Sequence, residues 1–399
     1  MSWRKLLRGI GIATLWLVIA LCVASAAVPP FLDRIYYRGQ ATDHFDGGRF
    51  ANPGVDDTAT PPTGGSRAGF FTRFLRPDDR PAWPGSVAVA KDVPPARVSG
   101  EAMRATWVGH ASVLVQAAGL NILTDPIWSD TAGPFDVIGP HRVSPPGIDF
   151  DKLPKIDLIV VSHNHYDHLD LTTLKRLWER DRPHIVTSLG NDSILRSAGI
   201  GTADQPDANK VVALDWNGGL DVSHAFSVRV TRNHHWSSRW FVDRNRALWS
   251  SFVVKLPGGN LFFAGDTGAG DMKWADEARA HGPIRLAILP IGAFRFYEGQ
   301  MRTASHIGPG EALEIWRRLG RPHALPIHWG TFRLSWEGHD TPPNMLREIQ
   351  ACAGEDPGRF ARHEIGVGFD VPAIGGAAVA KPGRRIDACL TTPEVTRYR

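Results

Sequence analysis

Cysteine is scarce in this sequence of 399 residues, which contains only three. Cys22 lies in an apolar stretch near the amino terminus, and Cys352 and Cys389 lie close to the other end of the chain. None of them is near the histidine-rich motif described below, so no thiolate is expected in the site that this motif builds. Cys352 and Cys389 would pair in an oxidising compartment, but two free thiols fit the sequence equally well.

Excess charge is missing as well. The chain has 45 Lys and Arg residues against 41 Asp and Glu, and residues 1–26 hold three of the basic ones and no acidic one. The rest of the chain therefore carries 42 basic residues against 41 acidic ones. A near-neutral domain lacks the positive surface of a nucleic-acid binder, so no nucleic-acid partner is expected.

An apolar run lies at the amino terminus. Arg4, Lys5 and Arg8 precede the uncharged stretch Ile10–Val28, which has the length needed to cross a bilayer. We expect residues 1–28 to direct export, either as a signal peptide cut after small residues or as an uncleaved anchor, which the length of the run favours. The basic residues before it predict a domain outside the inner membrane, anchored and facing the periplasm, or free in the periplasm if the signal is cleaved.

Three imidazoles and a carboxylate lie within six positions, at His163, His165, Asp167 and His168. They follow the apolar run Ile156–Val161, which predicts a buried strand that delivers them to a loop. Histidine nitrogen and carboxylate oxygen are ligands of Zn²⁺ and similar divalent ions. Because adjacent residues point apart, one ion cannot easily use all four groups, whereas two ions can. The loop therefore predicts a two-metal site.

The motif His163–His168 resembles the signature of the metallo-β-lactamase superfamily. The other ligands of that superfamily arrive later on separate loops, and matching positions occur here in the expected order at His235, Asp266 and His328. Further motifs resemble the branch that contains N-acyl-phosphatidylethanolamine phospholipase D. They are Thr106–Ser112, Leu123–Ile127, Ile138–Arg142 and Ile288–Ala293. The similarity covers most of the chain, and the motifs are specific in combination.

The resemblance implies a role for each of these residues. The first ion would be bound by His163, His165 and His235, and the second by Asp167, His168 and His328. The aspartate that bridges the two ions would be Asp266. Asp167 and Asp266 are also expected to act in catalysis, together with His306, which matches a family position near the substrate phosphate. His234 is the alternative to His235 as a ligand of the first ion. Adjacent residues on an extended chain point to opposite sides, so only one of the two should reach the metals.

The resemblance also implies the fold class, which is α/β. It would be a four-layer αβ/βα sandwich with the metals between two sheets, preceded by the apolar export or anchor helix. The stretches Ala105–Gln116 and Asn121–Thr124 predict a hairpin of two strands. His110, within the first of them, is expected to support the ligands by a hydrogen bond rather than to be a ligand itself.

Composition divides the chain into four parts. Residues 1–28 form the export segment, and residues 29–97, rich in Pro and Gly, form an arm or linker. Residues 98–375 form the catalytic domain, and a carboxy-terminal tail covers 376–399. The sequence leaves the oligomeric state open, with a homodimer among the alternatives.

The implied function is that of a dinuclear metal-dependent hydrolase of phospholipase D type. A hydroxide bridging two divalent ions, Zn²⁺ first among them, would attack the phosphodiester of an N-acylated or other phospholipid. A lactonase, or a hydrolase of esters or sugar phosphates, is the alternative, and a metal- or lipid-binding protein without turnover ranks below both. Residues 294–305 depart from the usual segment of the branch, so the exact substrate stays open. The expected partners are a phospholipid or small-molecule substrate and, through the amino-terminal segment, a membrane surface.

Overall fold

Two β-sheets form the centre of the molecule, one with seven strands and one with six. The computed structural model describes residues 3–54, 57–59, 80–223, 226–297, 299–375 and 382–398. Residues 60–79 of the predicted arm lie outside this description.

The first sheet lies in the order β13-β1-β2-β3-β4-β5-β6 and the second in the order β12-β11-β10-β9-β8-β7, with the strands numbered along the chain. In the first sheet the strands are β1 (Met103–Gly109), β2 (Ser112–Ala117), β3 (Leu120–Thr124), β4 (Leu158–Val161), β5 (His184–Ser188), β6 (Val211–Leu214) and β13 (Gly368–Asp370). In the second sheet they are β7 (Gly219–Ser223), β8 (Phe226–Thr231), β9 (Ser251–Lys255), β10 (Asn260–Phe263), β11 (Ile284–Pro290) and β12 (His323–Ile327).

Helices cover the outer faces of the sheets. Those on the first sheet are α2 (Leu171–Asp181) and α3 (Asn191–Ser197); those on the side of the second are α4 (Lys273–Ala280), α5 (Pro309–Arg318) and α6 (Thr341–Ala353). Asp170 caps the start of helix α2, where its carboxylate accepts hydrogen bonds from the amides of Thr172 and Thr173. Its residues Leu174 and Leu177, four and seven positions from that cap, are buried in one cluster with the outer face of the first sheet. The four-layer α/β sandwich is thereby confirmed.

Parallel pairing brings several loops to one place. Strands β3 to β6 are parallel to one another, as are β10 to β12. Every residue of β4 and β11 is buried, as is usual for strands covered on both faces. The carboxyl ends of parallel strands lie at the same end of their sheet. The loop after β4 therefore leaves that end of the first sheet, and the loops after β10 and β12 leave that end of the second.

One part of the predicted hairpin is wrong. The chain does not run as a single strand from Ala105 to Gln116, because β1 and β2 pair antiparallel around a tight turn after Gly109. The φ angles of Gly109 and His110 are 136° and 53°, so the backbone reverses where a continuous strand was expected. The predicted connection between β2 and β3 is confirmed. His110 consequently lies at the end of the sheet.

Helix α1 runs from Trp3 to Leu32, past the predicted end of the export segment at residue 28. By length and composition it can cross a membrane, a test that a signal sequence near the amino terminus passes as well. After it, Phe45 and Phe50 are buried in the main core, and Asp33 pairs with Arg246 at 2.7 Å. The first part of the predicted arm therefore packs on the sandwich.

A disulfide joins Cys352 of α6 to Cys389, so the pairing that the sequence left open is present in the structure. Cys389 ends a short helix, α7 (Ile386–Cys389), and α8 (Pro393–Thr396) follows it. Cys389 and Val395 are buried. The described part of the segment predicted as a tail thus packs against α6.

Candidate metal centre

Each predicted ligand lies in a loop directly after a strand. The ligands meet at the edge of the two sheets: His163, His165, Asp167 and His168 follow β4, His235 follows β8, Asp266 follows β10, and His328 follows β12. Apart from half-buried His165 and Asp167, these side chains are buried. The structure therefore brings together all seven residues that the sequence nominated as metal ligands.

Three histidines form the first group, His163, His165 and His235. Nε2 of His163 lies 2.8 Å from Nδ1 of His165, and the ring centroids of His163 and His235 are 4.7 Å apart. Nδ1 of His235 donates a hydrogen bond to the carbonyl oxygen of Ser305 at 2.8 Å, which leaves the lone pair of that ring at Nε2. Nε2 of His165 and Nε2 of His235 are buried without a hydrogen-bond partner among the described residues. A bound cation would satisfy these nitrogens.

The second group contains Asp167, His168 and His328. The Nε2 atoms of His168 and His328 are 3.3 Å apart. Oδ2 of Asp167 lies 3.5 Å from the first of these nitrogens and 3.6 Å from the second. All three side chains converge on one point from two loops.

Asp266 lies between the two groups. Its Oδ2 is 3.1 Å from Nε2 of His168 and 3.0 Å from Nε2 of His328. The same carboxylate also forms a set with His235 and His306 whose donor atoms all lie within 4.8 Å of one another. Its second oxygen, Oδ1, is buried without a partner among the described residues. One carboxylate therefore reaches both groups, as a bridging ligand must.

The first group is electrically neutral. Burial lowers the pKa of His165 to about 3, and it lowers the pKa of His163 and of His235 well below the usual range. Unprotonated imidazole is the form that binds a metal. These three nitrogens are thus ready to bind an ion near neutral pH.

Opposite charges pair in the second group. Burial lowers the pKa of His328, but the carboxylates of Asp266 and Asp167 outweigh it and raise that pKa to about 9. For Asp266, burial raises the pKa, and the neighbouring His168 and His328 bring it well below the usual range. A divalent cation would take the place of the protons on these two histidines, because metal binding requires their neutral form. The donors of both groups are nitrogen and oxygen only, which fits Zn²⁺ and similar ions.

Asp125 supports both groups, a role that the sequence reasoning missed. It is fully buried, and its Oδ2 accepts a hydrogen bond from Nδ1 of His168 at 2.6 Å. Its Oδ1 accepts from the amide of Ser162 at 2.7 Å, and the Ser162 hydroxyl contacts Nδ1 of His163 at 2.9 Å. Such a carboxylate behind a histidine fixes the ring and the tautomer. The only sequence signal was its place at the end of β3, in a motif quoted for the resemblance.

Backbone strain marks the same place. Asp125 has a φ of 31° and His328 a φ of 67°, a region that residues other than glycine seldom occupy. Such conformations persist where the surrounding structure imposes them, often at functional sites. The neighbouring His110 also has a positive φ, and its Nε2 lies 2.9 Å from Oδ2 of Asp167, which is the supporting position that the sequence predicted for it.

His234 and His235 point in different directions. Nε2 of His234 lies 2.7 Å from Asp57 of the predicted arm, whereas His235 faces the other histidines. The structure thus places His235, and not His234, in the first group.

His306 lies at the side of the centre. Its Nδ1 is 3.7 Å from Oδ2 of Asp266, and burial lowers its pKa to about 4, so the ring is neutral near pH 7. Residues 294–305, which differ from the usual segment of the branch, precede His306. In this loop the buried Arg295 donates a hydrogen bond to the carbonyl of Gln300, whereas Arg302 is mostly exposed. Arg295 is therefore held within this loop rather than extended toward His306.

Arg239 holds the metal loop from the other side. Its guanidinium donates to the carbonyl oxygens of Asn164 at 3.1 Å and Leu169 at 2.9 Å. It also lies 3.8 Å from the ring centroid of Tyr166. The sequence gave no indication of this contact, which joins positions 70 or more residues apart.

Comparisons with known proteins identify the family of the chain. Residues 120–329 match the family model of the beta-lactamase superfamily domain. An uncharacterized protein of Mycobacterium tuberculosis is 37% identical over 241 residues, which cover 59% of this chain and 61% of that protein. The chain thus spans about three fifths of that relative's length. N-acyl-phosphatidylethanolamine-hydrolyzing phospholipase D 1 of Caenorhabditis elegans is 35% identical over 252 residues, 61% of this chain and 69% of that protein.

Among solved structures, an isothiocyanate hydrolase from Delia radicum gut bacteria superposes with a TM-score of 0.51 at 17% identity. The match covers 67% of this chain and 100% of that one. At this level of identity the similarity concerns the fold alone.

Proposed function

This chain belongs to the metallo-β-lactamase superfamily and is a metal-dependent hydrolase, and from this premise we propose that it is a two-metal phosphodiesterase of phospholipase D type. Its substrate would be an N-acylated or other phospholipid, presented at a membrane. Cleavage would release a phosphatidic acid and the alcohol part of the head group.

The observation that carries the proposal is the position of Asp266 between two complete donor groups. A single ion bound to one group would leave the other set of converging donor atoms, which lie within 4.8 Å of one another, without a cation. A carboxylate has two oxygens and can reach two ions about 3.5 to 4 Å apart. The buried Oδ1 of Asp266, which has no partner among the described residues, fits this role.

Zn²⁺ is the ion that we expect in both positions. The first group offers three imidazole nitrogens, and the second offers two together with carboxylate oxygen. Zn²⁺ accepts this mixture and is common in catalytic sites of three protein ligands. When bound, such a pair of ions supplies an ionised water as nucleophile and polarises the phosphoryl oxygen.

The side chains of the protein position the reaction. Asp125 keeps His168 presenting Nε2, and Ser162 orients His163 in the same way. His306 is neutral near pH 7 and is placed to donate a ring N–H to an oxygen of the phosphate or of the leaving group. Asp167 and Asp266 remain ionised, since the pKa of each lies well below the usual range, and they balance the charge of the ions.

The substrate class is supported by the relatives and by α1. The relatives from Caenorhabditis elegans and Saccharomyces cerevisiae are both named for hydrolysis of N-acyl-phosphatidylethanolamine. Helix α1 would keep the enzyme at the membrane where such lipids reside, with the catalytic domain on the periplasmic side. An exported enzyme of this kind meets lipids of the outer leaflet of the inner membrane.

The test uses the full chain in lipid nanodiscs that contain N-acyl-phosphatidylethanolamine, with a simple lactone as the comparison substrate. Phosphatidic acid is the expected product, and lactone cleavage without lipid product would instead favour the lactonase alternative. The neighbouring histidines supply matched variants: His235→Gln should lose metal and turnover, whereas His234→Gln should keep both. Equal metal content and turnover in the two variants would contradict the assignment.

A further inference from the structure

Large apolar side chains that are exposed are concentrated on one face. Outside α1, nine such side chains occur among the described residues. Five of them lie in or directly next to segments that line one cavity beside the end of α1: Ile35, Phe135, Val137, Ile138 and Phe241. Phe135 and Phe241 are the most exposed of all, at 79% and 80%. Scattered apolar residues need no explanation, but a concentration of this kind marks an interaction surface.

Three of the five residues lie on one protruding loop, residues 133–139, here called the apolar finger. The finger is closed at its base by a hydrogen bond from the amide of Ala132 to the carbonyl of Pro140 at 3.0 Å. Gly133 is needed there, because a Cβ would lie 1.6 Å from the carbonyl oxygen of Ile138. At the tip, Phe135 has a φ of 60°, which is uncommon for a bulky residue. The loop is thus built to present its apolar side chains outward.

Phe241 is presented by a second ordered loop, residues 238–243, here called the Phe241 turn. The carboxylate of Asp243 accepts hydrogen bonds from the hydroxyl of Ser238 at 2.6 Å and from the amide of Trp240 at 2.8 Å. The ring of Trp240 lies 6.2 Å from that of Phe135, so the turn and the apolar finger are neighbours. The hydrogen bonds to Asp243 thus hold the turn in a conformation that exposes the side chain of Phe241.

The same turn is tied to the chain that leaves α1. The hydroxyl of Tyr36, four residues after the end of the helix, donates a hydrogen bond to Asp243 at 2.9 Å. The carboxylate of Asp33 forms salt bridges with Arg246, at 2.7 Å, and with Arg49, at 2.9 Å. These bonds fix the exit of α1 next to the Phe241 turn. If α1 is in a bilayer, the surface of that bilayer is therefore next to both loops.

A cavity of about 720 Å³ lies between these parts. Its lining residues include Arg34 and Arg38 together with Phe135 and Trp240. It is also lined by Tyr166, a residue of the metal loop between the predicted ligands His165 and Asp167. Arginines just outside a membrane helix attract lipid phosphates. The cavity thus combines aromatic side chains, arginines balanced by Asp33, Asp136 and Asp170, and contact with the metal loop.

We propose that the apolar finger and the Phe241 turn insert into the leaflet next to the end of α1, so that the cavity between them opens directly onto lipid head groups. The proposal rests on the proposed function, because it takes α1 as a retained anchor. It adds a second membrane contact and an entry route for the substrate. The bilayer is the occupant that α1 implies, since the loops lie beside its end and Arg34 and Arg38 follow that end within six residues.

The depth of the contact follows from the helix. At a rise of 1.5 Å per residue, the uncharged part of α1 from Gly9 to Leu32 is about 36 Å long. The apolar core of a bilayer is about 30 Å thick. Leu32 therefore reaches the head-group layer. The apolar side of a segment that lies in the membrane interface is buried about 5 to 10 Å, at the boundary between head groups and acyl chains. Phe135 and Phe241 would therefore lie at that boundary.

The experiment uses the full chain with Cys22 replaced by serine, so that a single introduced cysteine carries an environment-sensitive fluorophore. The test positions are Phe135→Cys and Phe241→Cys, and the matched controls are Val93→Cys and Ile374→Cys, which are also exposed but belong to neither loop. The proteins are reconstituted into vesicles of phosphatidylethanolamine and phosphatidylglycerol, with and without lipids that carry a quencher near the head group. The two cysteines of the disulfide stay paired as long as no reductant is added.

We expect a blue shift and strong quenching at positions 135 and 241 and neither effect at positions 93 and 374. Washing the vesicles with alkaline carbonate tests the anchor separately. If all four positions behave alike while the wash fails to extract the protein, the second membrane contact is refuted and the anchor stands. If carbonate extracts the protein, the anchor and this proposal both fail. A blue shift in detergent that grows with protein concentration would assign the face to a second copy of the chain and would also overturn the proposal.

Discussion

Replacing Asp125 by asparagine tests the support of the metal centre, since it keeps the shape of a fully buried side chain and removes its charge. Oδ1 of Asp125 accepts from the amide of Ser162, and Oδ2 accepts from Nδ1 of His168. An asparagine can offer oxygen to only one of these donors. If its NH₂ faces His168, Nδ1 must become the acceptor and the proton moves to Nε2, which is the atom that faces the metal.

The expected loss in metal affinity is about 10- to 100-fold, equivalent to about 1.4 to 2.7 kcal/mol. The alternative orientation leaves the buried amide of Ser162 facing an NH₂ group and costs about 1 to 3 kcal/mol of folding stability. The assay is competition for metal with a graded chelator, combined with denaturant unfolding of the metal-free protein. Glu355→Gln is the matched control, because Glu355 is a buried carboxylate that pairs with Arg317 and Arg321 far from the centre.

That control should lose stability and keep its metal affinity. If Asp125→Asn binds metal as tightly as the unchanged chain, the support that we assign to Asp125 is refuted. A variant that loses stability but not metal affinity would show that the carboxylate serves only the fold.

Further outcomes follow from other parts of the molecule. Burial raises the pKa of Glu311 from 4.5 to about 7, so its stabilising contribution is present below pH 4.5 and is lost as the pH rises through 7. Relative to Glu311→Gln, the free energy of unfolding of the unchanged chain should therefore fall by up to about 3 kcal/mol over that range, and parallel pH profiles would refute this. Cys352→Ser should lower the unfolding free energy by about 3 to 4 kcal/mol, because the bond to Cys389 closes a loop of 37 residues; Cys22→Ser should not change it. His306→Ala should lower turnover about 10²- to 10⁴-fold with metal content retained, and loss of metal would instead make His306 a ligand.

The local pattern of the sequence was sufficient to predict the loop that carries the first four ligand residues. His163 and His165, together with Asp167 and His168, follow an apolar strand within six positions, and few other structures satisfy that pattern. The later ligands could be found because each also follows a strand and has a match in the resembled superfamily. The fold class was implied by the resemblance to that superfamily.

Contacts between distant positions could not be predicted. The carboxylate of Asp125 looked like the end of a strand, and only the packing of β3 against β4 shows that it lies behind His168. Arg239 reaches the metal loop over more than 70 positions, and the pairing of Cys352 with Cys389 depends on how the last helices pack. The turn after Gly109 was missed because apolar residues continue on both sides of it. In each case the deciding interaction is tertiary, whereas the pattern is local.

The number and position of metal ions in the full chain test the central claim most directly. Anomalous diffraction at the zinc edge, on crystals grown with zinc, would locate each ion. Our account predicts two ions per chain, about 3.5 to 4 Å apart, with the carboxylate of Asp266 between them. One ion held by His163, His165 and His235 alone, or ions bound elsewhere, would contradict it.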